Sequence, residues 1–255
     1  MRTLNTQAAG AAALTFCFST LCLAQTIPTT PLHNQVVVIH LKADMVNEWV
    51  DLQKNELIPA QKKGGVKSRS TYQTVYGNTN EYLIVTPLEK YALADDTAPQ
   101  TKILGTEAAA RLNAKLSKCI ESRQVYISNP LPDHGNDSGD IGVIGVFTRR
   151  RVAAGRMDDY LSLIKTQIMP VYKKVSQNYT VNRRGLGADS NDVTTVSWVK
   201  KMADLDLGPT TIRVLGAPAA TKLNASVEGM TTLMEQIVRR RVPELSFAAT
   251  SASIP

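Results

Sequence analysis

The stretch LQKNELIPAQKK (Leu52 to Lys63) returns 111 positions later as LIKTQIMPVYKK (Leu163 to Lys174), with five of the twelve residues kept in place. GTEAAARLNA (Gly105 to Ala114) returns as GAPAATKLNA (Gly216 to Ala225) at the same offset. Gly77 before NTNEYLIV corresponds to Gly187 before ADSNDVTTV, with one inserted residue. Two separate stretches at one offset predict an internal duplication. The period is too long for a solenoid and indicates two homologous domains.

Each copy carries the same succession of patterns. QVVVIHLK (Gln35 to Lys42) and IGVIGVF (Ile141 to Phe147) are short, β-branched and bounded by polar residues, which predicts strands. Val46, Trp49, Val50, Leu57 and Ile58 then fall on one helical face, as do Met157, Tyr160, Leu161, Ile164, Ile168 and Met169. Pro59 and Pro170 sit late in these helices, where proline removes a backbone hydrogen bond, so a kink or early stop is expected at both. VKSRSTYQTVYG with EYLIVTPL reads as a hairpin around Gly77-Asn78, and NYTVNRRGLG with DVTTVSWV as its counterpart. A helix bearing the LNA phrase follows, then a last strand, RQVYIS in the first copy and RRVPELSF in the second.

The order is strand–helix–strand–strand–helix–strand twice, so the fold class is α+β, two tandem ferredoxin-like repeats. The helix–Pro–Lys-Lys layout followed by a long strand, glycine and strand resembles the dimeric α+β barrel domains of the antibiotic-biosynthesis-monooxygenase and NIPSNAP-like group. The resemblance covers nearly the whole chain beyond residue 34. It implies two sheets packed face to face as a pseudo-dimeric barrel. A sheet with both helices on one face leaves the other bare, and a tandem copy supplies the cover.

The opening MRTLNTQAAGAAALTFCFSTLCLAQ has one basic residue, Arg2, and an uncharged run from Ala8 to Ala24. That layout predicts a signal peptide, residues 1–24, and therefore an exported protein without a stable membrane span. Neither Cys17 nor Cys22 follows a small residue, which argues against lipid attachment, and cleavage leaves Cys119 with no disulfide partner. The remaining boundaries read as an N-terminal linker (25–34), first repeat (35–128), linker (129–140), second repeat (141–247) and tail (248–255). Formal net charge is +7. The excess lies in Arg149-Arg150-Arg151, Arg183-Arg184 and Arg239-Arg240-Arg241, without interleaved aromatics or a nucleic-acid motif, so solvated faces rather than nucleic acid are expected.

No GxGxxG, Walker A, HExxH, CxxC or GxSxG occurs, and His33, His40 and His134 are too dispersed for a local metal cluster, so no cofactor or metal is expected. DHGNDSGD gathers Asp133, Asp137 and Asp140 but has Gly135 at the third position of a calcium loop and Ile144 where its bidentate glutamate should be, and reads as linker. Alternation on the first strand sends Val36, Val38 and His40 to the face opposite Val37, Ile39 and Leu41, towards the barrel interior. His40 is there either a ligand-facing group or a satisfied polar core residue. Gly145, aligned with it in the second copy, would leave room beside it. Tyr72 and Tyr76 share one face of their strand, Arg69 and Gln73 the other; of Arg183 and Arg184, one points inward. Trp49 and Tyr160 read as core. Trp198 aligns with Pro87, outside the shared skeleton, and suits a pocket wall or barrel cap.

Cofactor-independent monooxygenases of the resembled group set Asn, Trp, Tyr or His around a cavity. By that resemblance His40, Tyr72 and Trp198 are the candidate ligand-binding residues, and a small aromatic or anionic compound the candidate ligand. Three functions remain open: small-molecule binding or extracytoplasmic interaction; an oxygenase or isomerase-like enzyme on an aromatic substrate; and a purely structural protein with a filled interior. The sequons at Asn178 and Asn224, catalysis itself and a homodimer also stay open.

Overall fold

Alternating burial along the strands and two helix-covered faces dictate the architecture of the computed structural model, which describes residues 33–139 and 142–248. The expected signal peptide, most of the N-terminal linker and nearly all of the tail lie outside the described residues. The first half runs β1 (His33–Leu41), α1 (Val46–Leu52), α2 (Ile58–Lys63), β2 (Ser68–Tyr76), β3 (Glu81–Leu88), α3 (Pro99–Leu104), α4 (Thr106–Cys119) and β4 (Ile120–Pro130). The second runs β5 (Ile144–Val152), α5 (Met157–Leu163), α6 (Met169–Lys174), β6 (Tyr179–Arg184), β7 (Asp192–Val199), α7 (Thr210–Leu215), α8 (Ala217–Glu228) and β8 (Thr231–Arg241), followed by the short β9 (Phe247–Ala248).

Eight strands close into an antiparallel barrel in the order β3-β1-β4-β6-β7-β5-β8-β2, with β2 returning to β3. The halves meet at two seams. At one, β4 pairs with β6, Ser128 opposite Arg184; at the other, β8 pairs with β2, Arg239 opposite Thr74. β9 extends the start of β2. Among the described residues no helix is long and apolar enough to cross a membrane.

Three apolar clusters result. One lies between the first half's helices and the outer face of its strands, around Leu41, Trp49, Leu112 and Cys119. The second is its counterpart, around Val152, Tyr160, Ile164 and Val193. The third, Val36, Tyr72, Leu83, Tyr126, Phe147, Val196 and Trp198, is inside the barrel. Trp49 and Tyr160 are thus core residues. Arg69 is buried under the helices, where burial pushes its pKa down to about 10, and donates to Thr71, Gln61 and Gln53.

Neither proline stops its helix. The turns Gln53–Leu57 and Ile164–Ile168 are π-helical, closed by Ile58 N–H to Gln53 O and Met169 N–H to Ile164 O. Widening the turn just before Pro59 and Pro170 accommodates a ring that would strike the carbonyl four residues back, and the helix continues to the paired lysines. Gly105 and Gly216, at φ 80° and 79°, make the abrupt joints between α3 and α4 and between α7 and α8.

The last strand of the second half is a correction. β8 is Thr231–Arg241, not RRVPELSF. Pro243 has no N–H to give a ladder, and the chain turns there into the 3-10 segment Pro243–Leu245. Leu245 enters the first apolar cluster, where its carbonyl accepts from Thr71 Oγ1 at 2.7 Å.

Candidate functional site

The barrel encloses a cavity of about 480 Å³. That volume lies within the range of about 300–1,000 Å³ usual for small-molecule sites. Val36, Val38 and His40 face it from β1, as the alternation requires. Tyr72 reaches it from β2 and Trp198 from β7. With Phe147 from β5 these two rings form a triangle, the centroids 5.5 Å (Tyr72–Trp198), 5.6 Å (Tyr72–Phe147) and 5.6 Å (Phe147–Trp198) apart. Burial raises the pKa of the Tyr72 hydroxyl, while a hydrogen bond with Ser70 and the charge of Arg241 oppose the rise. Trp198 Nε1–H points to Thr180 Oγ1 at 3.4 Å.

Gly145 is not the structural counterpart of His40. Leu41 N–H bonds Asn80 O, and Val152 N–H bonds Asn191 O, so the constant offset of 111 places Arg151 where His40 stands. Room beside Gly145 does exist, but the aromatic triangle fills it. A Cβ there would come within 2.7 Å of Phe147 Cε2, 2.8 Å of Val196 Cγ1 and 3.0 Å of Trp198 Cζ3.

His40 belongs to a polar cluster apart from the rings. Its Nε2 lies 3.2 Å from Glu81 Oε2 and its Nδ1 lies 3.0 Å from Asn78 Nδ2, so both ring nitrogens are engaged. Glu81 also accepts from Thr74 Oγ1 at 2.9 Å and from Arg239 Nη2 at 2.5 Å. Side-chain exposures of 7% for Glu81 and 5% for Arg239 make this a buried ion pair. The Arg239 guanidinium lies 5.0 Å from the Phe147 ring centroid, which links the cluster to the aromatic triangle.

The second half carries a different polar group. Asp192, at the position matching Glu81, accepts from Arg149 Nη1 at 3.1 Å and Arg151 Nε at 2.9 Å. Burial pushes the Asp192 carboxyl up, but the hydrogen bonds and charges of Arg151 and Arg149 outweigh it and hold the pKa below the ordinary carboxylate value. Arg151 also meets Asp189, and Arg149 approaches Glu235. Arg184 stands inward beside them, its guanidinium 4.3 Å from the Tyr126 ring centroid. Burial lowers its pKa; Tyr126 opposes this and Arg149 adds to it. Arg183, its neighbour, points out and donates to Ser190 O.

The stretch read as a linker is part of the wall: Pro130, Leu131, Pro132, Gly135, Asn136 and Asp137 border the cavity. Asn136 bridges Tyr179 through paired backbone hydrogen bonds, and Ser138 N–H donates to Asn178 Oδ1. Sequence reasoning missed this, along with Glu81, Tyr126, Phe147, Arg149 and Arg239. Extending the inside–outside alternation from β1 to β4, β5 and β8 would have found Tyr126, Phe147 and Arg239. Nothing local points to Glu81, because its partners arrive from strands distant in the chain. Among the described residues no group of three or more His, Cys, Asp or Glu side chains is placed to hold a metal ion.

No family model and no curated protein sequence matches the chain. Solved structures do. An anthrone oxidase-like protein superposes with a TM-score of 0.56 at 12% identity, over 88% of this chain and 97% of that one. A candidate monooxygenase from Fusobacterium nucleatum gives 0.57 at 11% identity, over 82% and 91%. A chlorite dismutase from Candidatus Nitrospira defluvii gives 0.51 at 8% identity, over 85% and 93%. At these identities the likeness is one of fold: the chain shares with these proteins a closed antiparallel barrel covered by helices.

Proposed function

We propose that this protein binds a small aromatic or anionic molecule inside its barrel. The observation that carries the reading is the cavity of about 480 Å³, walled by the rings of Tyr72, Phe147 and Trp198 on one part and by charged side chains on others. Tyr72 and Trp198 then supply stacking surface, while His40 orders Glu81 at the edge of the site. An open interior counts against a purely structural role, which calls for a filled barrel.

The second reading is cofactor-independent oxygenase or isomerase-like chemistry on an aromatic substrate. The similarity to an anthrone oxidase-like protein and a candidate monooxygenase favours it. Both nitrogens of His40 are occupied, so a base role for this residue requires Asn78 or Glu81 to release one of them.

Native mass spectrometry of the protein purified from its host tests the first reading. The expected result is an added mass that is released on denaturation; a clean apo mass, with no mass shift across a panel of aromatic acids and phenols, overturns it. His40→Ala separates the two readings, because binding alone leaves affinity within about threefold whereas catalysis through His40 loses about a hundredfold or more in turnover.

We further propose that the two halves descend from one duplicated unit and that residues 1–24 direct export. The matched π turns and glycine joints support the first. N-terminal sequencing of the protein recovered outside the host cytoplasm tests the second: the expected first residue is Gln25, and an intact Met1 overturns it. A homodimer of barrels is compatible with this arrangement, and size-exclusion chromatography with light scattering decides it.

A further inference from the structure

The two seams of the barrel each carry one inward-facing arginine, and only one of them is neutralised. At the seam of β8 and β2, Arg239 is bound to Glu81. At the seam of β4 and β6, Arg184 sits opposite Ser128 and, among the described residues, no carboxylate lies within ion-pair distance of it. The carboxylates nearby are already committed, Asp192 and Asp189 to Arg151, and Asp192 and Glu235 to Arg149.

Unpartnered donors cluster around Arg184. Its own Nε is buried without a hydrogen-bond partner, and so is Thr194 Oγ1. Thr194 neighbours Asn182 on one side and Arg149 on the other in the strand register. The Tyr126 ring lies against the Arg184 guanidinium, and no hydrogen bond to its hydroxyl occurs among the described residues. All of these residues line the same cavity. A half-buried guanidinium with Asp192 and Glu235 only beyond ion-pair distance is incompletely compensated, and a buried hydroxyl without a partner is costly. An anion in the cavity compensates the charge of the guanidinium.

We infer that the wall formed by β4, β6, β7 and β5 is an anion-binding subsite. It takes the carboxylate of an aromatic acid through Arg184, with Tyr126 and Thr194 as further donors and the ring of the ligand against Tyr72, Phe147 and Trp198. This rests on the reading that a small molecule occupies the barrel, and it fixes that molecule's charge and orientation. One uncommitted guanidinium, with Glu235 and Asp192 close by, suits a monoanion better than a phosphate dianion. The first half cannot repeat the site: Thr74 stands where Arg184 does, by the offset of 110 that relates Gly77 to Gly187, and Ile237 stands where Tyr126 does. Each chain therefore has one such subsite.

Calorimetry with 2-naphthoate and its neutral analogue 2-naphthylmethanol tests the inference on the purified protein. The wild type is expected to prefer the carboxylate by about tenfold or more, since a charge-assisted hydrogen bond to a buried partner is worth roughly that much. Arg184→Met should weaken naphthoate by about tenfold to a hundredfold and leave the alcohol within about twofold. Arg184→Lys should recover part of the loss, and Tyr126→Phe should weaken naphthoate alone by about threefold to tenfold. Should Arg184→Met fail to fold, the wild-type preference and the Tyr126→Phe and Thr194→Val variants decide. Equal binding of acid and alcohol, unchanged by these substitutions, overturns the anion subsite and keeps an occupied barrel. Binding of neither overturns both.

Discussion

Glu81→Ala should be among the most damaging single substitutions in this barrel, lowering stability by about 3–5 kcal/mol. The carboxylate is the sole ion-pair partner of Arg239 among the described residues, and it also receives Thr74 and His40. Removing it leaves a guanidinium buried against Phe147 with its Nε already unpartnered. An uncompensated buried charge costs more than the pair itself contributes, so the cost should fall when both partners go. Glu81→Ala with Arg239→Met is therefore expected to be less destabilised than Glu81→Ala alone. Urea denaturation of the two single variants and the double variant measures this as a coupling energy. Strict additivity, or a loss below about 1 kcal/mol for Glu81→Ala, would show that the pair is solvated and that the polar cluster does not close the barrel seam. A functional signature accompanies the stability loss. Formate should stabilise Glu81→Ala more than the wild type, because the vacated position presents Arg239 as a second anion site.

This pair also explains what could and could not be read in the amino-acid order. The helical phrase around Pro59 and Pro170 is legible because its leucines, prolines and lysines perform one local task in both halves, running through the same π turn and on to the paired lysines. Helix periodicity, the Gly77 hairpin and the inward face of β1 are likewise local properties, and each was legible. The strand β5 was not, beyond its apolar start. IGVIGVF reads as a complete buried strand, yet the ladder begins at Ile144 and runs through Thr148 and Arg149-Arg150-Arg151 to Val152. Three consecutive arginines look like a solvated turn. They fit in a barrel wall because Asp192, more than forty residues on, lies across from them on β7 and accepts from two of the three. Misplacing the strand is what set Gly145 against His40. The second role of the stretch 129–140 was hidden for a related reason: its Pro, Gly, Asn and Asp content is what a free connection needs, and equally what a connection needs to fold back along β6.

The same long-range charge pairing governs how the molecule should respond to acid. Asp192 is nearly inaccessible, and its carboxyl titrates below its ordinary value because Arg151 and Arg149 stabilise the charged form more than burial destabilises it. In the unfolded chain the ordinary value, about 3.9, returns. The folded state therefore binds the proton less readily. Its advantage from this group is complete above about pH 4 and disappears as pH falls through the depressed folded value. Asp192→Asn should cost about 3 kcal/mol at neutral pH, since the amide keeps the shape but not the charge that holds the buried face of Arg149. The difference between wild type and variant should stay flat from pH 8 to about pH 5 and narrow below about pH 4. Urea midpoints collected along that range give the curve directly. A difference that persists undiminished at about pH 2 would mean that Asp192 acts by shape and hydrogen-bond count rather than by charge. A neutral amide would also leave Arg149 and Arg151 to compete with Arg184 for whatever anion enters the barrel. Naphthoate binding in Asp192→Asn should then tighten or gain a second site, whereas loss of binding would show that the Asp192 clamp is needed to keep the anion-binding wall in shape.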